Sequence, residues 1–157
     1  VFMDAGFGLF YYRSVGSNSN MIYGGVSVPQ LFGADLTFNA DTDAFQLQKI
    51  QHLYGLLGYY KFLGDGAYLE PTVWIKTTKG AEMNVQGSIR YQFPSALWIG
   101  TGAGTSGIYH FETGLNLGYG LGYPNIKIGY SYDYSFSKIS TSSRSSHQFN
   151  ITYSFEY

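Results

Sequence analysis

The chain has 157 residues, only 12% of them charged and 19% aromatic, with a net charge of -1, which is about half the usual charged share of a soluble domain. The charge gives no basic surface for nucleic acid, and the absence of Cys rules out both a disulfide framework and a thiolate metal site. Mean hydropathy is near zero and no apolar run approaches the ~18 residues of a membrane helix, so a membrane-spanning chain of this composition has to cross as strands.

The chain opens at Val1 with no initiator Met, basic segment or apolar signal-like run, and it reads as a mature chain or a fragment. Period-two alternation predicts the first strands at 4–13 and 21–28. The link 29–50 follows, carrying Leu31, Phe32, Leu36, Phe38 and Phe45. A long exposed loop this apolar is expected either to fold inward as a plug or to contact a partner. Within it, Ala44–Gln51 is the one place where a short helical turn is expected. A strand at 51–62 has ambiguous facing, because Tyr and Leu occupy both parities. Strands follow at 67–76 and 84–93, the latter opposing Val85, Ile89, Tyr91 and Phe93 to Asn84, Gln86, Ser88, Arg90 and Gln92. Further strands are read at 96–103, 110–119, 126–134 and 147–157. The last is the cleanest, with Phe149, Ile151, Tyr153, Phe155 and Tyr157 against Gln148, Asn150, Thr152, Ser154 and Glu156.

Strands that are apolar on one side and polar on the other, with scattered Gly and little helix propensity, predict an all-β, antiparallel transmembrane β-barrel of the bacterial outer membrane. Nine strands is an odd count where single-chain bacterial barrels have even ones, so either one strand within 1–157 is misjudged or others are missing, and an unclosed barrel would have to continue upstream or pair with another chain. With the last strand descending to the periplasm, the long links 29–50 and 135–146 fall outside, as do 77–83 and 104–109. The tight turns at 64–66 and 94–95 fall inside. Tyr11, Tyr12, Tyr59, Tyr60, Trp98 and Tyr134 stand near strand ends, where interfacial girdles are expected.

Glu70, Lys76, Arg90, Glu112, Lys127 and Asp133 all fall at inward positions, where a salt-bridge and hydrogen-bond network filling a narrow lumen is the expected use; a metal, solute or peptide site is the alternative. Pro71 removes a ladder hydrogen bond and is expected to mark a bulge or bend. Gly100, Gly102, Gly104 and Gly107 have no strand-to-helix context for a phosphate loop and read as a strand entering an outer loop. His110 and His147 begin strands near the outer rim, where they are expected to be solvated, and His52 begins the ambiguous strand; with no nucleophile elbow, a hydrolase is disfavoured. No cofactor is expected.

Specific strings add to the periodicity. GYSYDYSFSKIS (Gly129 to Ser140) and SSHQFNITYSFEY (Ser145 to Tyr157) resemble the closing hairpin of the PorP/SprF family of type IX secretion system membrane proteins of Bacteroidota. DAGFGLFY (Asp4 to Tyr11), YGGVSVPQLF (Tyr23 to Phe32), the His52 to Phe62 strand, YLEPTVWIKT (Tyr68 to Thr77), Arg90-Tyr91 and WIG (Trp98 to Gly100) are similar to that family's successive blocks. Gln148 and Ser154 depart from the family's more usual Glu and Arg without disturbing the face pattern. Members have longer mature chains, so the resemblance implies that residues 1–157 are the C-terminal portion of a larger barrel, with upstream strands and a signal peptide missing here, which would account for the odd count. It further implies a non-enzymatic component of the secretion and gliding apparatus, set in outer-membrane lipid and supporting export or anchoring of cell-surface adhesins. Its partners would be a secreted adhesin and periplasmic or outer-membrane secretion components. Phe155 and Tyr157 would be the signal read by barrel-insertion machinery. The main rival is a passive channel or small-solute transporter; a hydrolase and a soluble sandwich complete the alternatives.

Overall fold

The computed structural model describes residues 5–16, 19–31, 35–39, 44–48, 50–118, 126–136 and 145–153, with backbone alone for 35–39 and 44–48. Its strands are β1 (Phe7–Val15), β2 (Asn20–Val28), β3 (Asp35–Asn39), β4 (Ala44–Gln48), β5 (His52–Gly64) and β6 (Ala67–Thr78). They continue with β7 (Asn84–Gln92), β8 (Leu97–Gly104), β9 (Ile108–Asn116), β10 (Ile126–Ser135) and β11 (Ser145–Tyr153). Nine of them form one antiparallel sheet in the order β1-β2-β5-β6-β7-β8-β9-β10-β11, and β3 and β4 pair only with each other. The described residues contain no helix. The sheet is an open arc consistent with part of a barrel, its edges β1 and β11 unpaired among the described residues.

The expected helical turn at Ala44–Gln51 is therefore wrong: residues 44–48 are a strand. Its register pairs Leu36 with Leu47, Phe38 with Phe45 and Thr37 with Gln46. Like positions meet like across a period-two ladder, and an isolated helix this short has too few hydrogen bonds to repay its nucleation.

Register assigns every central strand two faces. Along one run Glu70, Arg90, Gly100, Glu112, Ser131 and Gln148, side by side across β6 to β11. The next row, toward the end carrying the link after β2, is Thr72, Ser88, Gly102, His110, Asp133 and Ser146. The opposite face presents Leu57, Val73, Ile89, Ile99, Phe111 and Ile128, all exposed. Pairing resolves β5 as well. Gly58 lies between Tyr23 and Thr72, which puts Tyr54, Leu56 and Tyr60 on the polar face and Leu53, Leu57 and Tyr59 on the apolar one.

Burial is inverted relative to a soluble domain. Among the described residues the buried hydrophobic is Ala67 alone, whereas Glu70, Gln92 and Ser131 are buried and long lists of Leu, Ile, Val and Phe are exposed. Water would not tolerate so continuous an apolar face on a monomer, and hydrocarbon would favour it.

The turn between β5 and β6 has positive φ at both central residues, 50° at Asp65 and 79° at Gly66, the type I′ geometry that Asp-Gly favours because it matches strand twist. A register shift occurs beside it, between Phe62 and Gly64. Of the bulge or bend expected at Pro71, no bulge forms: Gly58 with Thr72 and Lys61 with Leu69 belong to one continuous frame, and Pro71 pairs with Ile89. Its missing N–H interrupts one ladder bond without adding a residue. Between β7 and β8 the Gln92 side chain, 1% exposed, donates to the carbonyls of Phe93, Ser95 and Leu97 at 3.1, 2.9 and 3.0 Å. Gln92→Ala is expected to destabilise the fold by ~1–3 kcal/mol, because the three bonds this buried amide makes across the turn are lost; the midpoint of urea unfolding in lipid vesicles measures it.

Candidate functional site

The polar face is tied together by a chain of charged and hydroxyl groups. At its centre Arg90 on β7 grips Glu112 on β9 with two bonds, Nε to Oε1 at 3.0 Å and Nη2 to Oε2 at 3.1 Å. A planar guanidinium fork suits a carboxylate in this bidentate way, and each such bond is stronger than a neutral one. Nη1 also reaches Glu70 Oε2 on β6 at 3.5 Å, and the guanidinium carbon sits 4.7 Å from the centre of the Trp98 ring. Glu70 is only 5% exposed. Its carboxylate accepts from the Tyr23 hydroxyl at 2.6 Å, and the Tyr60 ring lies 5.4 Å from that of Tyr23. A buried charge of this kind is tolerated when its lone pairs are met and a cation stands opposite.

Two glycines make the geometry possible. Arg90 and Glu112 are two strands apart, roughly 9–10 Å at ordinary sheet spacing, with Gly100 between them. A Cβ on Gly100 would fall 2.5 Å from Glu112 Oε1, so the absent side chain is the space that Glu112 crosses. Gly58 does the same for the Tyr23 ring, which lies over it on the way to Glu70. Gly100→Val is expected to push Glu112 off Arg90 and cost about 2 kcal/mol or more. Gly87→Val, on the apolar face where a Cβ meets nothing within 4 Å, changes the unfolding midpoint far less.

On the far side of Glu112 the network continues through His110. Its Nε2 lies 3.6 Å from Glu112 Oε2, and its Nδ1 is hydrogen-bonded to Asp133. Ser146 donates to the other oxygen of Asp133 at 3.3 Å. Both ring nitrogens of His110 thus face carboxylates, and neither is turned toward a nucleophile.

Of the residues singled out in the sequence, Glu70, Arg90, Glu112 and Asp133 come together in this network. Lys76 is on the same face but stands over the Tyr54 ring at 5.6 Å. Lys127 lies toward the opposite end, lining a cavity with Asn116, Asn150 and Thr152. His110 corrects the expectation of a solvated rim histidine, since Asp133 and Glu112 enclose it. His147 is bonded to the Tyr130 hydroxyl at 2.7 Å, and His52 to Thr78 at 2.7 Å. The expected aromatic girdle also needs correction. Tyr11, Tyr59 and Tyr134 have the parity of the apolar face, whereas Tyr12, Tyr60 and Trp98 share the polar one, because consecutive residues of a strand point to opposite sides. Alternation could have found His110, Tyr60 and Trp98, each an even number of residues from a partner on its own strand or in its row. The identity of their contacts could not be read that way.

Leu31 anchors the base of the long link: its N–H donates to Ala5 at 2.8 Å, and its carbonyl accepts from Gln51 at 2.6 Å. Leu36, Phe38 and Phe45 lie on the β3–β4 hairpin. Phe32, Phe155 and Tyr157 fall outside the described residues. Gly100, Gly102 and Gly104 are in β8 and Gly107 in the turn after it, with φ of 74°; this is a strand and its turn rather than a phosphate loop. Among the described residues no cluster of His, Asp and Glu has the arrangement of a metal site.

No curated protein and no solved structure matches the chain. Residues 1–153 match the family described as type IX secretion system membrane protein PorP/SprF, and with an open antiparallel sheet that is polar where buried and apolar where exposed, the chain belongs to that family.

Proposed function

We propose that this chain is an outer-membrane barrel wall of the type IX secretion and gliding apparatus, non-enzymatic, supporting the export or anchoring of cell-surface adhesins. The observation that carries the membrane reading is the inverted burial: a paired Glu70–Arg90–Glu112 network inside and exposed aliphatic residues outside. Membership of the family carries the secretion role.

In this reading the polar face lines the lumen and the apolar face meets outer-membrane lipid. β1 and β11 run in the same direction, since eight antiparallel pairings separate them. Closing the wall with antiparallel pairs therefore takes an odd number of further strands, and an unpaired edge in hydrocarbon would leave a row of backbone groups unsatisfied. The link after β2, with Leu31, Phe32, Leu36, Phe38 and Phe45, is the contact segment for a secreted adhesin or another secretion component. Phe155 and Tyr157 serve barrel insertion. The network is built for cohesion rather than chemistry, both His110 nitrogens being engaged with carboxylates.

The test is co-purification of the full-length protein in mild detergent. A secreted adhesin or a periplasmic secretion component is expected to accompany it, and to be lost when Leu31, Phe32 and Phe38 are changed together to Ser. Recovery of the barrel alone from wild-type cells, with a stable open conductance in planar bilayers, would replace this reading with that of a passive channel.

A further inference from the structure

One row of the polar face is not polar. Immediately beyond the ion-pair network, toward the end carrying the long link, Phe10, Gly25, Leu56, Trp74 and Gln86 lie side by side across β1, β2, β5, β6 and β7. Trp74 is 47% exposed and Phe10 is exposed too. Three cavities, of about 240, 280 and 440 Å³, meet at Trp74. The interior of a membrane barrel is ordinarily wet and polar, so an exposed indole and phenyl with a half-buried isobutyl group between them, in one line inside it, are a binding surface in want of an occupant. Polar groups stand where an extended chain would need them: the Gln86 amide borders two of the cavities, and Asn84 and Lys76 border the largest. Charge sets a preference. Arg90 is neutralised by two carboxylates, but Lys76 has no carboxylate partner among the described residues and stands beside Tyr54.

We infer that this shelf binds an extended polypeptide segment with aromatic or large aliphatic side chains and an acidic group, entering from the end of the long link. The inference deepens the proposed secretion role and rests on it: the occupant is a segment of an exported protein. The apolar side chains fill the cavities around Trp74, the amide of Gln86 meets the peptide backbone, and Lys76 pairs with the carboxylate. The network of Glu70, Arg90 and Glu112 forms the floor beneath.

The experiment uses the full-length protein in detergent micelles and a synthetic peptide of alternating Phe and Asp. The readout is the part of the tryptophan emission that disappears in Trp74→Phe. Binding is expected to shift that emission to shorter wavelength. Replacing the peptide's Phe by Ser should weaken binding about tenfold or more, and Lys76→Ser should weaken it roughly two- to fivefold, the loss shrinking in high salt. Equal binding of the Phe and Ser peptides, or binding indifferent to Lys76→Ser and to peptide charge, overturns the inference. So does a result in which removing residues 35–48 both abolishes an existing blue shift of Trp74 and opens the site, because the chain's own hairpin is then the occupant. Secretion partners that still co-purify while the peptide fails to bind would sink the shelf and leave the secretion role standing.

Discussion

Arg90→Met is expected to lower stability by about 3 kcal/mol, the lower end for breaking a buried pair because Arg90 itself is partly exposed. The loss arises less from the missing attraction than from what is left behind. Glu70, nearly fully buried, and Glu112 would face each other's charge with no cation between them. Removing the charges together should reverse most of the damage: Glu70→Gln, Arg90→Met and Glu112→Gln combined leave neutral groups and no stranded carboxylate. Urea unfolding in lipid vesicles measures both. If Arg90→Met unfolds at the wild-type midpoint, the network does not hold the wall together and the lumen reading of this face fails with it.

The second large effect is expected on the other face. Ile89→Arg, at an exposed mid-strand position, should destabilise the protein by roughly 2–4 kcal/mol in a bilayer, as charges do near the midplane of a barrel's lipid face. On a water-facing sheet the same change at an exposed site is worth about 0.5 kcal/mol or less in either direction. The two readings of the apolar face thus differ several-fold in one measurement. A near-zero change for Ile89→Arg, with Val73→Arg and Ile128→Arg alike, would return the sheet to a water-soluble sandwich.

Much of this architecture was legible without coordinates because a strand has a side-chain period of two and a barrel wall has two unlike solvents. Between Ile126 and Tyr134, alternation alone separated Lys127, Ser131 and Asp133 from Ile128, Tyr130 and Tyr132, and the register of β10 against β9 and β11 places them that way. The nine strands of the sheet were readable for the same reason. Where both parities carry aromatic or aliphatic residues, as in β5, the pattern is silent, and only pairing with Tyr23 and Thr72 assigns a face. The β3–β4 hairpin was misread because five residues give too short a window to distinguish a helical stripe from alternation. Loop lengths proved less lopsided than the sequence suggested: the connection at 105–107 is short although it lies at the same end as the long link.

The sequence by itself determined that this chain forms antiparallel strands with one apolar and one polar face, and which charged residues share the polar one. It did so because both properties depend only on neighbours along the chain and on what lies on either side of a sheet. Tertiary structure alone decided that Arg90 pairs with Glu112 rather than with Asp133, that His110 bridges Glu112 and Asp133, and that Gly58 and Gly100 are the openings through which Tyr23 and Glu112 reach their partners. Those contacts join residues from separate strands, and register, which fixes how far each strand slides past the next, is written in no single segment.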